Sequence, residues 1–170
     1  MGRYIAKELG RDISELPYNV LSSDKLREEF GQATFFTATD GNHGRGVAWA
    51  ANRLGQKAVV RMPKGTTKTR FDNIAKEGAT VTIEEVNYDD CVRMAAAEAA
   101  IAKLEAAEAD KAAAAKVEET INALPAVADI TLENKEAVAA ARAAFDALTK
   151  AQQALVSKEA QDKLTACEAR

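Results

Sequence analysis

The stretch TFFTATDGNHGRGVAWAANRLGQKAVVRMP, residues 34–63, decides the fold. Its first six residues are apolar and β-branched, the composition of a short buried strand. A glycine-rich turn follows at once, and residues 42–54 then take on helical character. Gly55 stands where a C-terminal cap belongs, and KAVVRMP, 57–63, reads as a second strand. Working outward, Thr66 or Thr67 is placed to cap a helix running to about Glu77. TVTIEEV, 80–86, supplies a third strand, and a new helix opens after Asn87. Short strands joined by helical crossovers predict an α/β unit with a three-stranded parallel sheet and right-handed connections. Upstream, residues 3–9 and 24–29 read as short helices, the second with Ser23 as its N-cap.

From about Asp89 to Leu124 nothing breaks a helix until Pro125. That is about 52 Å of helix at 1.5 Å per residue. Its larger apolar residues form two stripes, Met94, Ala97, Ile101 and Leu104, then Val117, Ile121 and Leu124. At about 100° per residue the two stripes face different ways, so the helix is expected to serve two cores. Beyond it, a helix over 134–148 carries Val138, Ala141, Phe145 and Leu148. Thr149 with Gln152 has the capping-box pattern, and Ser157 precedes a last helix with Ala160, Leu164 and Cys167. This predicts a three-helix bundle joined to the α/β part through the shared helix, with domains over 1–96 and 97–170. KLEAAEAD, 103–110, recurs as KLTACEAR, 163–170, a match that alanine-rich helices make easily.

A net charge of −3 leaves no basic field for a nucleic-acid backbone or an anionic membrane, so neither partner is expected. No apolar run reaches the ~18 residues of a membrane span, and the N-terminus lacks the apolar core of a signal peptide. A cytoplasmic location is the expectation. His43 is the only histidine and the two cysteines have no metal-ligand spacing, so no metal site is expected. Cys91 and Cys167 are expected to remain two free thiols.

A strand ending in a glycine turn that opens a helix is a ready anion site, because the first helical N–H groups lack partners. TATDGNHGRG, 37–46, has that form, but its spacing is neither the dinucleotide fingerprint nor a Walker loop. The plainer structural reading is that Asp40-Gly41 makes the turn, Asn42 caps the helix, and Gly44 and Gly46 allow close packing. The residues add more than the spacing. The run from Thr37 to Gly65, with NIAKEGATVTI and NYDDCVRMA after it, resembles the diaminopropionate ammonia-lyases, members of the fold-type II family of pyridoxal-phosphate (PLP) enzymes. The resemblance covers about residues 1–96 and implies the smaller, mobile domain of such an enzyme. It further implies that Thr39, Gly41, Asn42 and His43 belong to the loop receiving the substrate carboxylate. By the same resemblance Asn42 binds the cofactor, through its ring hydroxyl, and Asp40 acts as acid or base for one stereoisomer. The family's Schiff-base lysine and phosphate-gripping glycine loop lie outside the matched segment, so no cofactor is expected for this chain alone.

INALP at 121–125, ITL at 130–132, ARAAFDAL at 141–148 and LTKAQQALV at 148–156 resemble a helical repeat module of bacterial surface proteins, which are extracellular. A lyase segment joined to such a module inside one helix suggests a chimera, engineered or truncated. Three functions follow: a non-catalytic fusion or scaffold, a lyase fragment active only with a complementing portion, or a helical protein-binding module. Self-association through an exposed sheet is also expected.

Overall fold

In the computed structural model, which describes residues 1–170, the expected alternation of strands and helices is present. The strands β1 (Thr34–Ala38), β2 (Lys57–Met62) and β3 (Thr80–Ile83) form one parallel sheet in the order β1-β2-β3. Phe36 stands opposite Val59, and Val60 opposite Val81. Before the sheet come α1 (Gly2–Glu8), α2 (Tyr18–Leu21) and α3 (Asp24–Phe30). Between the strands run α4 (Asn42–Arg53) and α5 (Lys68–Ala75).

The side-chain alternation of β2 sorts the layers. Val60 and Met62 are buried with Ala48 of α4 and Ile74 of α5. Arg61 projects from the other face, where Ala38 packs with Cys91 and Ala95. A third cluster, Ile5, Ala6, Leu16, Leu26 and Leu54, ties the N-terminal helices to the residue that ends α4. Ser23 caps α3, accepting from the Leu26 N–H at 3.2 Å. Gly55 has φ +67°, a left-handed conformation that favours glycine, and the end of the Arg27 side chain lies over it.

Several expectations shift in detail. β3 stops at Ile83 rather than Val86, although the Glu84 N–H still donates to the Met62 carbonyl at 2.8 Å. Thr67 occupies the N-cap position of α5 without a side-chain hydrogen bond, and Thr66 donates instead to the Pro63 carbonyl.

One helix, α6, runs from Tyr88 to Asn122, 35 residues. Asn87 opens it, its side-chain oxygen accepting from the Asp90 N–H at 2.9 Å. The first stripe expected on it is incorrect. Cys91 and Ala95 are buried, whereas Ile101 and Leu104 are 55% and 66% exposed. The inward face is made of small residues and one carboxylate, because Glu98 reaches Arg61 from that side. Arg61 also donates to Thr82 at 2.6 Å and Glu84 at 2.8 Å; the Thr82 hydroxyl, donating to Glu84 at 2.5 Å, is the foremost cause holding the Glu84 carboxyl below its ordinary range, with Arg61 adding to it.

The chain divides into two units, Met1–Ile101 and Ala102–Arg170. The second is built from the end of α6 with α7 (Lys135–Asp146), α8 (Lys150–Gln153) and α9 (Lys158–Glu168). Ala114, Val117, Ile121 and Leu124 pack with Val138, Ala141, Val156, Ala160, Leu164 and Cys167, as the second stripe required. The Thr149–Gln152 capping box is formed, and a second joins Thr131 to Asn134. Ser157 caps α9 while bonding Glu118, whose carboxyl is thereby held below its ordinary range. Arg142 grips Glu168 with two parallel bonds, and Lys163 closes the end of α6 by donating to the Asn122 and Leu124 carbonyls. Both cysteines are free and buried. No helix is long and apolar enough to cross a membrane.

Candidate functional site

The residues between β1 and α4 form the candidate site. The Thr39 N–H prolongs the ladder by donating to the Arg61 carbonyl at 3.0 Å, which fixes where the loop leaves the sheet. Thr39 is buried, and its Oγ1 accepts from the Gly41 N–H at 3.0 Å and the Gly44 N–H at 3.2 Å. Thr39 therefore does the capping expected of Asn42. The residue at the N-cap position is Gly41, which has no side chain to contribute.

Gly44 makes that geometry fit. A Cβ at Gly44 would stand 2.1 Å from Thr39 Cγ2 and 3.1 Å from Val60 Cγ1, so the first turn of α4 lies directly on both side chains. Gly46, expected to serve packing as well, has no atom within 4 Å of a Cβ and is exposed. Only one of the two glycines is a packing residue. Thr39→Val keeps the shape but removes the acceptor for two amides, and is expected to cost about 1–3 kcal/mol. Thr39→Ser retains the oxygen and should lose less, which urea unfolding of the two variants checks.

Asp40, Asn42 and His43 are exposed, and their side chains make no hydrogen bond within the chain. The N–H groups of Asn42 and His43, at the start of α4, have no acceptor in the chain either. Of the loop residues implied by resemblance, Thr39 and Gly41 have their N–H groups engaged internally, and the donors left over belong to Asn42 and His43. Arg70 of α5, which no local pattern pointed to, donates to the Asp40 carbonyl at 3.0 Å and passes about 3.8 Å from the Cβ position of Gly41. It brings a fixed positive charge to the loop from 30 residues downstream. Arg45 pairs with Glu77 at 2.9 Å, on the helix face beside the loop. No group of three or more His, Cys, Asp or Glu side chains is placed to hold a metal ion.

A strand, a threonine-capped glycine turn and a helix start with unused donors are thus held against one sheet. A sequence model described as pyridoxal-phosphate dependent enzyme matches residues 16–124. The chain belongs to that family. It is 52% identical over 95 residues to a diaminopropionate ammonia-lyase of Salmonella typhimurium, a match covering 56% of this chain and 24% of that protein. With the Escherichia coli diaminopropionate ammonia-lyase the identity is 47% over 94 residues, covering 55% and 24%. Among solved structures, the holo form of the Escherichia coli lyase superposes with a TM-score of 0.55 at 40% identity, over 60% of this chain and 25% of that one. The same enzyme in complex with D-serine gives 0.55 and 40% over 59% and 25%. The chain spans about a quarter of the length of these relatives.

The fit to PLP is partial. The loop offers an amide side chain at Asn42 and two free backbone donors, but no lysine lies between Thr37 and Gly46. Lys64 is paired with Glu85 and Lys68 with Asp72. The loop thus presents hydrogen-bonding groups but no amine for covalent attachment.

Proposed function

We propose that residues 1–101 carry the substrate-carboxylate side of a diaminopropionate ammonia-lyase pocket, in a chain that is not catalytic by itself. The observation that carries this is the start of α4. There the N–H groups of Asn42 and His43 and the side chains of Asp40, Asn42 and His43 are all unengaged, within a segment 52% identical to such a lyase. The helix dipole and the two free donors suit a carboxylate, and Arg70 adds positive charge beside them. Asn42 would hydrogen-bond the cofactor's ring hydroxyl, and Asp40, its side chain exposed and without a partner in the chain, would exchange a proton with one stereoisomer of the substrate. PLP, when bound, supplies the electron sink for cleavage of bonds to the substrate's α-carbon. The helical unit, Ala102–Arg170, holds its own buried cluster and serves as a spacer resembling surface-protein modules, which makes the chain a fusion or scaffold.

The test is an assay of ammonia and pyruvate release from diaminopropionate, with PLP present. The chain alone is expected to give none and to develop no visible cofactor absorbance. Turnover by the chain alone would overturn the proposal. Mixing in the remaining three quarters of a related lyase separates the alternatives. Turnover in the mixture that is lost with Asp40→Asn marks a complementing fragment, and its absence marks a scaffold.

A further inference from the structure

A depression of about 570 Å³ lies on the outer side of α4, lined by Tyr18, Arg27, Arg45, Trp49, Arg53 and Glu77 among others. It belongs wholly to the first unit, and although Arg45 and Glu77 line it, Thr39, Asp40, Gly41, Asn42 and His43 do not. Three guanidinium groups face one carboxylate in a chain whose net charge is −3. Their partners differ. Arg45 is neutralised by Glu77 at 2.9 Å, and Arg27 has only the highly exposed Asp24 at 3.0 Å. Arg53 has no carboxylate, and lies instead over the Trp49 ring, 5.7 Å from its centre. The Arg27 side chain passes over Gly55, its Nε about 2.4 Å from where a Cβ there would stand.

Trp49 is about half exposed, and Tyr18 is 58% exposed. Trp49 and Tyr18 thus present two aromatic rings to solvent beside Arg53, which has no carboxylate partner. The indole also borders a second, shallower depression lined by Asn42, Arg45, Gly46 and Glu77, so open space lies along more than one side of the ring. The lining is predominantly polar, which disfavours a purely apolar ligand, and the volume exceeds what a lone inorganic anion fills.

We propose that this depression binds a nucleoside monophosphate, its base stacked on Trp49 and its phosphate held by Arg53 and Arg27. Guanidinium forks match phosphate oxygens in pairs, and a base stacks on an aromatic face whatever its identity. Although Trp49 also borders the depression that Asn42 lines, Arg27 and Arg53 lie outside the lyase loop, so variants of these two arginines test this site apart from the lyase reading.

Trp49 is the chain's single tryptophan, so its fluorescence reports the site directly. The experiment titrates the full chain with AMP, with adenosine and with inorganic phosphate. AMP is expected to give a saturable change that weakens with added salt, with adenosine and phosphate each binding at least about tenfold more weakly. Arg53→Gln, at an exposed position, should weaken AMP about tenfold while circular dichroism stays unchanged, and Arg27→Gln should do the same. No change with AMP into the millimolar range overturns the proposal. So does phosphate binding as tightly as AMP, which marks an adventitious anion contact only, or unaltered affinity in both arginine variants.

Discussion

Gly44→Ala is expected to destabilise the first unit by about 3 kcal/mol, near the upper end of what overpacking costs. The added Cβ would meet Thr39 Cγ2 at 2.1 Å, and that atom is not the loose end of a flexible chain. Thr39 is β-branched, buried, and bonded through its hydroxyl to two amides, so moving it aside breaks the cap of α4. Gly46→Ala, two residues away in the same helix with no neighbour to strike, should instead stabilise by up to about 1 kcal/mol through helix propensity. Urea unfolding followed by Trp49 fluorescence compares the two, since the indole sits on α4 itself. Equal midpoints for the two variants would contradict the close seating described for Gly44.

Leu164→Ala is expected to cost the helical unit about 3 kcal/mol. The unit has a core of ten buried residues, and Leu164 is among the largest of them and fully enclosed. A small domain has little stability in reserve, so amide exchange across α7 and α9 should accelerate strongly. The recurrence of KLEAAEAD as KLTACEAR provides the control. Leu104 occupies the equivalent place in the first copy and is 66% exposed, so Leu104→Ala should change stability by no more than about 0.5 kcal/mol. The two leucines sit in stretches identical at five of eight positions and differ in what lies against them.

That pair also shows where sequence reading succeeds and where it stops. Capping chemistry is local, so Ser23, Asn87, the Thr149–Gln152 box and Ser157 could be placed from the residues alone. The parallel sheet followed from strand length and helical crossovers. In the first half of α6, large apolar residues do not mark the inward face. A helix seated near a sheet buries Cys91 and Ala95 instead, and leaves Ile101 and Leu104 in water. At the candidate site the loop itself was visible, but its construction was not. Thr39 caps from two residues before Gly41, and Arg70 arrives from another helix, and no local pattern records either.

The buried face of α4 consists of Gly44, Ala48 and Ala51. None of these side chains has a rotamer to lose on folding, whereas a leucine or isoleucine in the same place would give up about 0.5–1 kcal/mol of conformational freedom. The start of the helix is thus fixed against the sheet by contacts almost free of side-chain entropy. On the function proposed, a ligand arriving at Asn42 and His43 would meet donors whose positions were set when the chain folded, and its binding energy need not be spent on ordering them.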